Sequence, residues 1–296
     1  MKTKDAARLL DRYRITDGRD FRLKDHDPAD QASGIVDSGD VEGCLADGVA
    51  RLSKLQTMLY ADDRWSMLVV LQAMDAAGKD GTIKHVMTGV NPQGVSVTSF
   101  KQPGPEDVSH GFLWRVHPHA PARGRISIFN RSHYEDVLIT RVHPEMLDPL
   151  HLPDDVRGKK FWKHRLDDIA NFEDYLAHQG TVVLKFFLHV SRDEQKRRFL
   201  ARIDAPDKNW KFSAGDITER EHWDAYQDAY ELAISATASP HAPWFVVPAD
   251  HKPFTHLVVA EAMIAALDTL GLKVPALSAE EAAKLAAAKK ELEERK

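Results

Sequence analysis

The sequence predicts an α/β protein built on a five-stranded parallel sheet, with helices on both faces and a helical lid. Three observations carry this. Five β-rich runs, 67–73, 95–101, 124–130, 181–190 and 244–248, are apolar along most of their length rather than alternating, as strands buried on both faces are. Segments with helical spacing separate them, which is the order of a doubly wound sheet. The first run also passes directly into a turn of small residues and then a Gly-Lys pair, Gly78-Lys79.

Taken in order, residues 1–40 are polar and interrupted by Asp17-Gly18, Asp27-Pro28 and Ser33-Gly34, and read as an irregular arm. Residues 41–272 form the main domain. It opens with a helix over 40–60 that carries Val41, Leu45, Val49, Leu52, Leu55 and Leu59 at helical spacing. An amphipathic helix over 159–179 stops at Gly180, a suitable residue just past a C-cap. Asp216 with Glu219 resembles a capping box opening a helix that presents Trp223, Tyr226 and Tyr230 on one face. A lid is expected over 192–225. The tail 273–296 is charged, and its Ala/Glu/Lys-rich part from Ser278 reads as a solvated helix or frayed end. Ligands of such a sheet bind at the carboxyl ends of its strands.

Composition narrows the classes. At 296 residues, 43% hydrophobic and 29% charged, the chain has the makeup of a soluble globular protein. One cysteine, Cys44, excludes an internal disulfide framework and fits a reducing cytoplasm. The charged start Met1-Lys2-Thr3-Lys4-Asp5 lacks the apolar core of a signal peptide, and no run approaches the roughly 20 apolar residues of a membrane span. A net charge of −5 argues against nucleic acid held by bulk charge, so an anionic partner must be gripped locally.

The segment 68–82 is where that grip forms. A strand, a small-residue turn and a helix start aim backbone N–H groups at an anion, and Lys79 adds a point charge. Against the pattern G-x-x-x-x-G-K-[ST], Ala73 stands at the first glycine and Asp80 at the hydroxyl that normally reaches Mg²⁺. Candidate phosphate contacts are Ala76, Ala77, Gly78, Lys79, Asp80, Gly81 and Thr82. Asp75 inside the turn would repel a phosphate chain by about 4 kcal/mol at 4 Å and an effective dielectric near 20. It is tolerable if a divalent cation bridges it to phosphate or if it faces another substrate group; otherwise it simply caps the helix.

A second cluster follows the third strand: Asn130, Arg131, Ser132, His133, Tyr134, Glu135 and Asp136. The strand end normally offers an acid to Mg²⁺; here it is Asn130, and Glu135 or Asp136 would have to supply the carboxylate. Arg131 can neutralise charge on a transferring phosphoryl group, or it can merely pair with Glu135 four residues on. A basic run, Lys196, Arg197, Arg198, Arg202, Lys208 and Lys211, is either a solvated face or a phosphate-gripping lid. Arg115 and Arg123 precede the third strand, and Phe100 and Lys101 end the second, where a nucleotide could meet them. His117 and His119, two apart in a Pro-rich loop, make a poor metal pair.

With these residues, the chain resembles the polyphosphate kinase 2 family, polyphosphate-dependent nucleotide kinases related in fold to thymidylate kinase. The matching stretches are 74–82, 112–115, 121–124, 129–135, 208–211 and 242–250, within about 43–270. The resemblance implies transfer of the terminal phosphoryl group between inorganic polyphosphate and AMP or ADP, with Mg²⁺ (Mn²⁺ as an alternative). It implies catalytic roles for Asp75, Lys79, Arg131 and Glu135, with Asp75 and Glu135 as metal ligands, and lid roles for Arg198 and Arg202. Asn130 with Glu135 looks like the subgroup that accepts both AMP and ADP. Adenine nucleotides are the expected acceptors, with guanine as an alternative; no nucleic acid or membrane partner is implied, and a homodimer or homotetramer is usual. The rival readings are an ATP-dependent nucleoside monophosphate kinase and a P-loop protein that binds polyanions without transfer.

Overall fold

The computed structural model describes residues 1–37, 39–207, 209–211 and 215–294. Six strands, β1 (Arg14–Ile15), β2 (Ser66–Ala73), β3 (Val95–Ser99), β4 (Ile126–Asn130), β5 (Thr181–His189) and β6 (Trp244–Pro248), form one sheet. Their order is β1-β6-β5-β2-β4-β3. The five expected strands are all present and parallel to their neighbours. The sixth corrects the expectation: β1 comes from the N-terminal arm and pairs antiparallel with β6, Arg14 opposite Phe245 and Ile15 opposite Trp244.

Burial explains the order. Every residue of β2 is buried, and every residue of β5 but Val182. These are also the longest strands, and they occupy the centre. The edge strand β3 exposes Ser96, Val97 and Ser99. Successive residues of a strand point to opposite faces. From β5, Lys185 and Phe187 face the helices Phe161–His178 and Trp223–Thr237, Lys185 reaching Glu173 and Phe187 stacking on Tyr230. Helix Lys252–Asp268 also packs on β5 and β6, and against helix Val41–Asp62. Its Phe254, Leu257, Val258, Val259, Met263 and Ile264 are buried around its circumference, as in a helix enclosed by protein.

The arm is more ordered than its breaks imply. Residues Thr3–Tyr13 form a helix whose Ala6, Leu9, Leu10 and Tyr13 are buried. That i, i+3, i+4, i+7 spacing is legible in the sequence, but it lies within a stretch of polar composition. Residues 16–37 are irregular yet seated. A Cβ at Gly18 would run into the Ser235 carbonyl, so only glycine fits there. The Leu23 N–H donates to Glu231 Oε2 at 2.8 Å, and Pro28 O accepts from the Asp250 N–H at 3.1 Å. Helix Ala279–Glu294, at the other end, has no buried residue. No helix among the described residues is long and apolar enough to cross a membrane.

At the carboxyl edge, Leu71 of β2 stands level with Asn130 of β4 and Phe186 of β5. The connection from β2 runs to β3 on one side, and that from β4 crosses to β5 on the other, so the turn after Ala73 opens into the crevice where such folds bind ligands.

Candidate active site

The cradle spans the turn 74–78 and the helix Lys79–Val86. Ala76 (φ 61°) and Gly78 (φ 114°) both adopt left-handed backbone. Glycine does so freely, whereas alanine pays about 1–2 kcal/mol. No side chain caps the helix at Gly78, so its first-turn N–H groups lack intrahelical acceptors. Thr82 departs from its expected role: it is buried, and both its N–H (2.9 Å) and its hydroxyl (3.2 Å) donate to Gly78 O. Lys79 folds back over the turn and donates Nζ to Ala73 O at 2.9 Å. Burial pulls its pKa below the usual lysine value, against the opposing pull of Asp75.

Arg131 completes the centre. Its backbone is left-handed (φ 62°), held by its N–H donating to Leu71 O at 3.0 Å, and this turns the side chain toward the cradle. Its Nη2 lies 3.0 Å from Asp75 Oδ1 and its Nη1 3.8 Å from Glu135 Oε2. The local Arg131–Glu135 pairing therefore exists, but the closer partner is Asp75 across the cleft. Glu135 is held by Gln72, whose amide, oriented by its neighbours, donates to Oε1 at 2.9 Å and accepts from Ser132 Oγ at 3.1 Å. Burial raises the Glu135 pKa, opposed by Arg131 and Lys79. Asn130 Nδ2 donates to Asp80 Oδ1 at 2.9 Å, joining the strand end to the cradle helix.

Of these groups, Asp75, Arg131 and Glu135 line a cavity of about 200 Å³, together with Gln195, Arg220 and Tyr226. Gln195 and Arg220 lie outside every motif of the sequence, and Gln72 stands just before the first position of the cradle pattern. Glu219 does not cap a long helix. It accepts from Tyr226 Oη at 2.7 Å, lies 3.2 Å from His143 Nε2, and ends a short helix, Gly215–Glu219, separate from Trp223–Thr237.

Several expected contacts lie elsewhere. Arg198 is buried, and all its donors are occupied: Nε by Glu194, Nη1 by Ala76 O and Ala77 O, Nη2 by Ala249 O and Asp250 O. It has no free N–H for a phosphate. Arg115 is likewise enclosed, bonded to Lys101 O at 2.8 Å and to Asp136 Oδ2 at 3.2 Å. Arg123 is exposed but precedes β4, at the amino edge of the sheet, where the next residue bonds Trp65 O. The length of β4, about 16 Å at 3.3 Å per residue, separates it from the cradle. Phe100 is a core ring, edge-on to Phe129 and His119, and cannot stack on a base; Lys101 is exposed at the end of β3. Arg202 is partly exposed, 3.6 Å from Asp216 at the cavity rim. Lys208 and the side chain of Lys211 lie outside the described residues. His117 and His119 pack against aromatic rings.

No group of three His, Cys, Asp or Glu side chains converges on a metal position among the described residues. The oxygen donors at the centre are Asp75, Asp80, Glu135 and the Asn130 amide. That set fits Mg²⁺, which commonly takes one or two carboxylates, keeps waters, and completes its shell with substrate phosphates.

A parallel sheet with a strand–turn–helix cradle, a lysine folded over the turn and an arginine between two acids defines a P-loop-type kinase. Residues 36–273 match the family model described as Polyphosphate kinase 2, and the chain belongs to that family. It is 52% identical over 228 residues to an ADP-polyphosphate phosphotransferase of Rhodopseudomonas palustris, covering 77% of this chain and 79% of that one. It is 45% identical over 267 residues to an AMP/ADP-polyphosphate phosphotransferase of Meiothermus ruber, covering 90% and 96%. The fold matches the crystal structure of polyphosphate kinase 2 from Arthrobacter aurescens TC1 with a TM-score of 0.86 at 39% identity, covering 96% of each chain.

Proposed function

We propose that this enzyme moves the terminal phosphoryl group of inorganic polyphosphate directly to AMP and to ADP, reversibly and with Mg²⁺. The observation that carries this reading is the guanidinium of Arg131 between Asp75 and Glu135, beside Lys79, at the mouth of a cradle of backbone N–H groups. An oxygen of the nucleotide's terminal phosphate forms a bond to the end phosphorus of polyphosphate. The bridging P–O bond to the next phosphate breaks, leaving a chain one unit shorter. Both oxygens are anionic, so no proton acceptor is required, and catalysis consists of alignment and charge neutralisation.

The cradle N–H groups and Lys79 hold the phosphates, and Arg131 offsets charge on the group in transit. Asp75 and Glu135, which both face Arg131, are the groups that would hold Mg²⁺. The ion, when bound, screens the two polyanions from each other. The acceptor base would take a cavity of about 170 Å³ among the segments that follow β3 and β4, lined by Phe112, Arg115, Phe161 and Arg165. The Arg165 guanidinium lies 4.9 Å from the Phe112 ring centre and 4.6 Å from that of Phe161.

Incubating the protein with Mg²⁺, polyphosphate and AMP, or ADP, without ATP tests the reading. ADP and ATP from AMP are expected. ATP from ADP alone would remove the AMP activity, and ADP formed only from AMP plus ATP would make the enzyme a conventional nucleotide kinase.

A further inference from the structure

Helix Arg192–Asp204 begins where the sequence places a lid, yet its inner face is fastened to the cradle. Gln195 and Arg198, one turn apart, are both buried there. Gln195 Nε2 donates to Asp75 O at 2.9 Å, and Arg198 Nη1 donates to Ala76 O at 3.1 Å and Ala77 O at 2.7 Å. Two side chains thus take three consecutive carbonyls of the phosphate turn. The Gln195 amide orientation follows from its partners: Arg220 Nη1, which only donates, meets Oε1 at 2.9 Å, leaving Nε2 for the Asp75 carbonyl. Arg198 Nη2 is anchored in turn on Ala249 O and Asp250 O beyond β6, and Nε on Glu194.

A peptide unit is planar and trans, so fixing the carbonyl of one residue fixes the N–H of the next in the opposite direction. Holding the carbonyls of Asp75, Ala76 and Ala77 toward this helix turns the N–H groups of Ala76, Ala77 and Gly78 away from it; that of Ala77 donates to Met74 O at 3.3 Å, so those of Ala76 and Gly78 are the ones set for phosphate. The left-handed backbone of Ala76, which is unfavourable for a non-glycine residue, needs such external restraint.

We propose that Gln195 and Arg198 are positioning residues that clamp the cradle turn and set its N–H groups for phosphate, without touching substrate. The proposal rests on the polyphosphate reading for its kinetic consequences only. The clamp also connects the turn through Gln195 to Arg220, which lines the same cavity, so Arg220 and the phosphate cradle are tied together.

The test compares wild type with Gln195→Ala, Gln195→Glu, Arg198→Ala, Arg198→Lys and, as a direct-contact reference, Lys79→Ala. Hydrogen–deuterium exchange of the peptide containing residues 72–82, without substrate, is expected to speed up in both alanine variants. Gln195→Glu, isosteric but without the donor, should be at least as fast as Gln195→Ala. Polyphosphate KM is expected to rise about tenfold in the clamp variants, with Arg198→Lys intermediate. The slope of log affinity against log salt should stay as in wild type, whereas Lys79→Ala should lower it by about one, by analogy with other polyanions. A slope lowered by one in Arg198→Ala would make Arg198 a phosphate contact and overturn the proposal, as would unchanged exchange of 72–82 in the Gln195 variants. If wild type neither binds nor uses polyphosphate, the functional reading fails. The exchange experiment still decides the clamp.

Discussion

Asp75 and Lys79 illustrate how little of a phosphate site is carried by any one side chain. Asp75 is 37% exposed and Lys79 half-buried, so neither supports the core. Lys79→Ala and Asp75→Asn are expected to lower kcat by about 100-fold or more, the usual cost of removing one charge-stabilising group. Circular dichroism and thermal unfolding should stay close to wild type; turnover within a few-fold of wild type in either variant would remove that residue from the centre. Asn130 makes a finer case. Its amide donates to Asp80 Oδ1 at 2.9 Å, so Asn130→Asp would set two carboxylates in contact. That repulsion, on the order of 4 kcal/mol at an effective dielectric near 20, is relieved by a cation. A steeper Mg²⁺ dependence is expected, read from initial rates at varied Mg²⁺ with AMP and with ADP.

At the scale of elements, the site segment 131–136 is anchored from behind by a charged group inside the sheet. Lys185, fully buried in β5, donates to Glu173 Oε2 at 2.5 Å, Thr237 O at 2.7 Å and Tyr134 Oη at 3.2 Å. Burial opposes ionisation of Glu173, yet Lys185 and His133 hold its pKa below the ordinary value. The network ties β5, two helices and the residue preceding Glu135 together. Lys185→Met would strand a buried carboxylate and cost about 3–5 kcal/mol. Adding Glu173→Gln should recover much of it, in urea unfolding of the single and double variants. A double variant no more stable than the single would mean that the loss comes from packing, not from the unpaired charge.

Across the whole molecule, pH acts through histidines that the fold keeps neutral. Burial pushes both His189 and His256 down to about 4 from 6.5, neighbouring positive or imidazole groups adding to the effect. A group depressed in the folded state gains its proton on unfolding first, so its contribution is fully present above pH 6.5 and is lost as pH falls toward 4. For His189 the full contribution is on the order of 3 kcal/mol at 1.36 kcal/mol per unit. Unfolding free energy is expected to fall between pH 6.5 and 4, and His189→Gln should flatten part of that fall. An equal slope in the variant would assign the acid sensitivity elsewhere.

The parts of this protein whose physics is local can be read along the chain. The apolar runs became β2 to β6, Gly180 adopted the left-handed backbone expected past a helix end, and the cradle, Arg131 and Glu135 came within reach because each follows directly from a strand. The tertiary structure decided what each cation faces. Arg131, Arg115, Arg123 and Arg198 all look like phosphate ligands along the chain, but only Arg131 lines the cavity. Arg115 is consumed by Asp136 and Arg198 by the backbone of the turn, while Arg123 falls at the opposite edge of the sheet. An arginine's role depends on which acceptors reach its five donors, and those acceptors come from segments far away in sequence. Gln195 is hidden in the sequence for the same reason: its partners, Asp75 and Arg220, meet it only when the turn after β2, the helix after β5 and the segment around Arg220 are assembled.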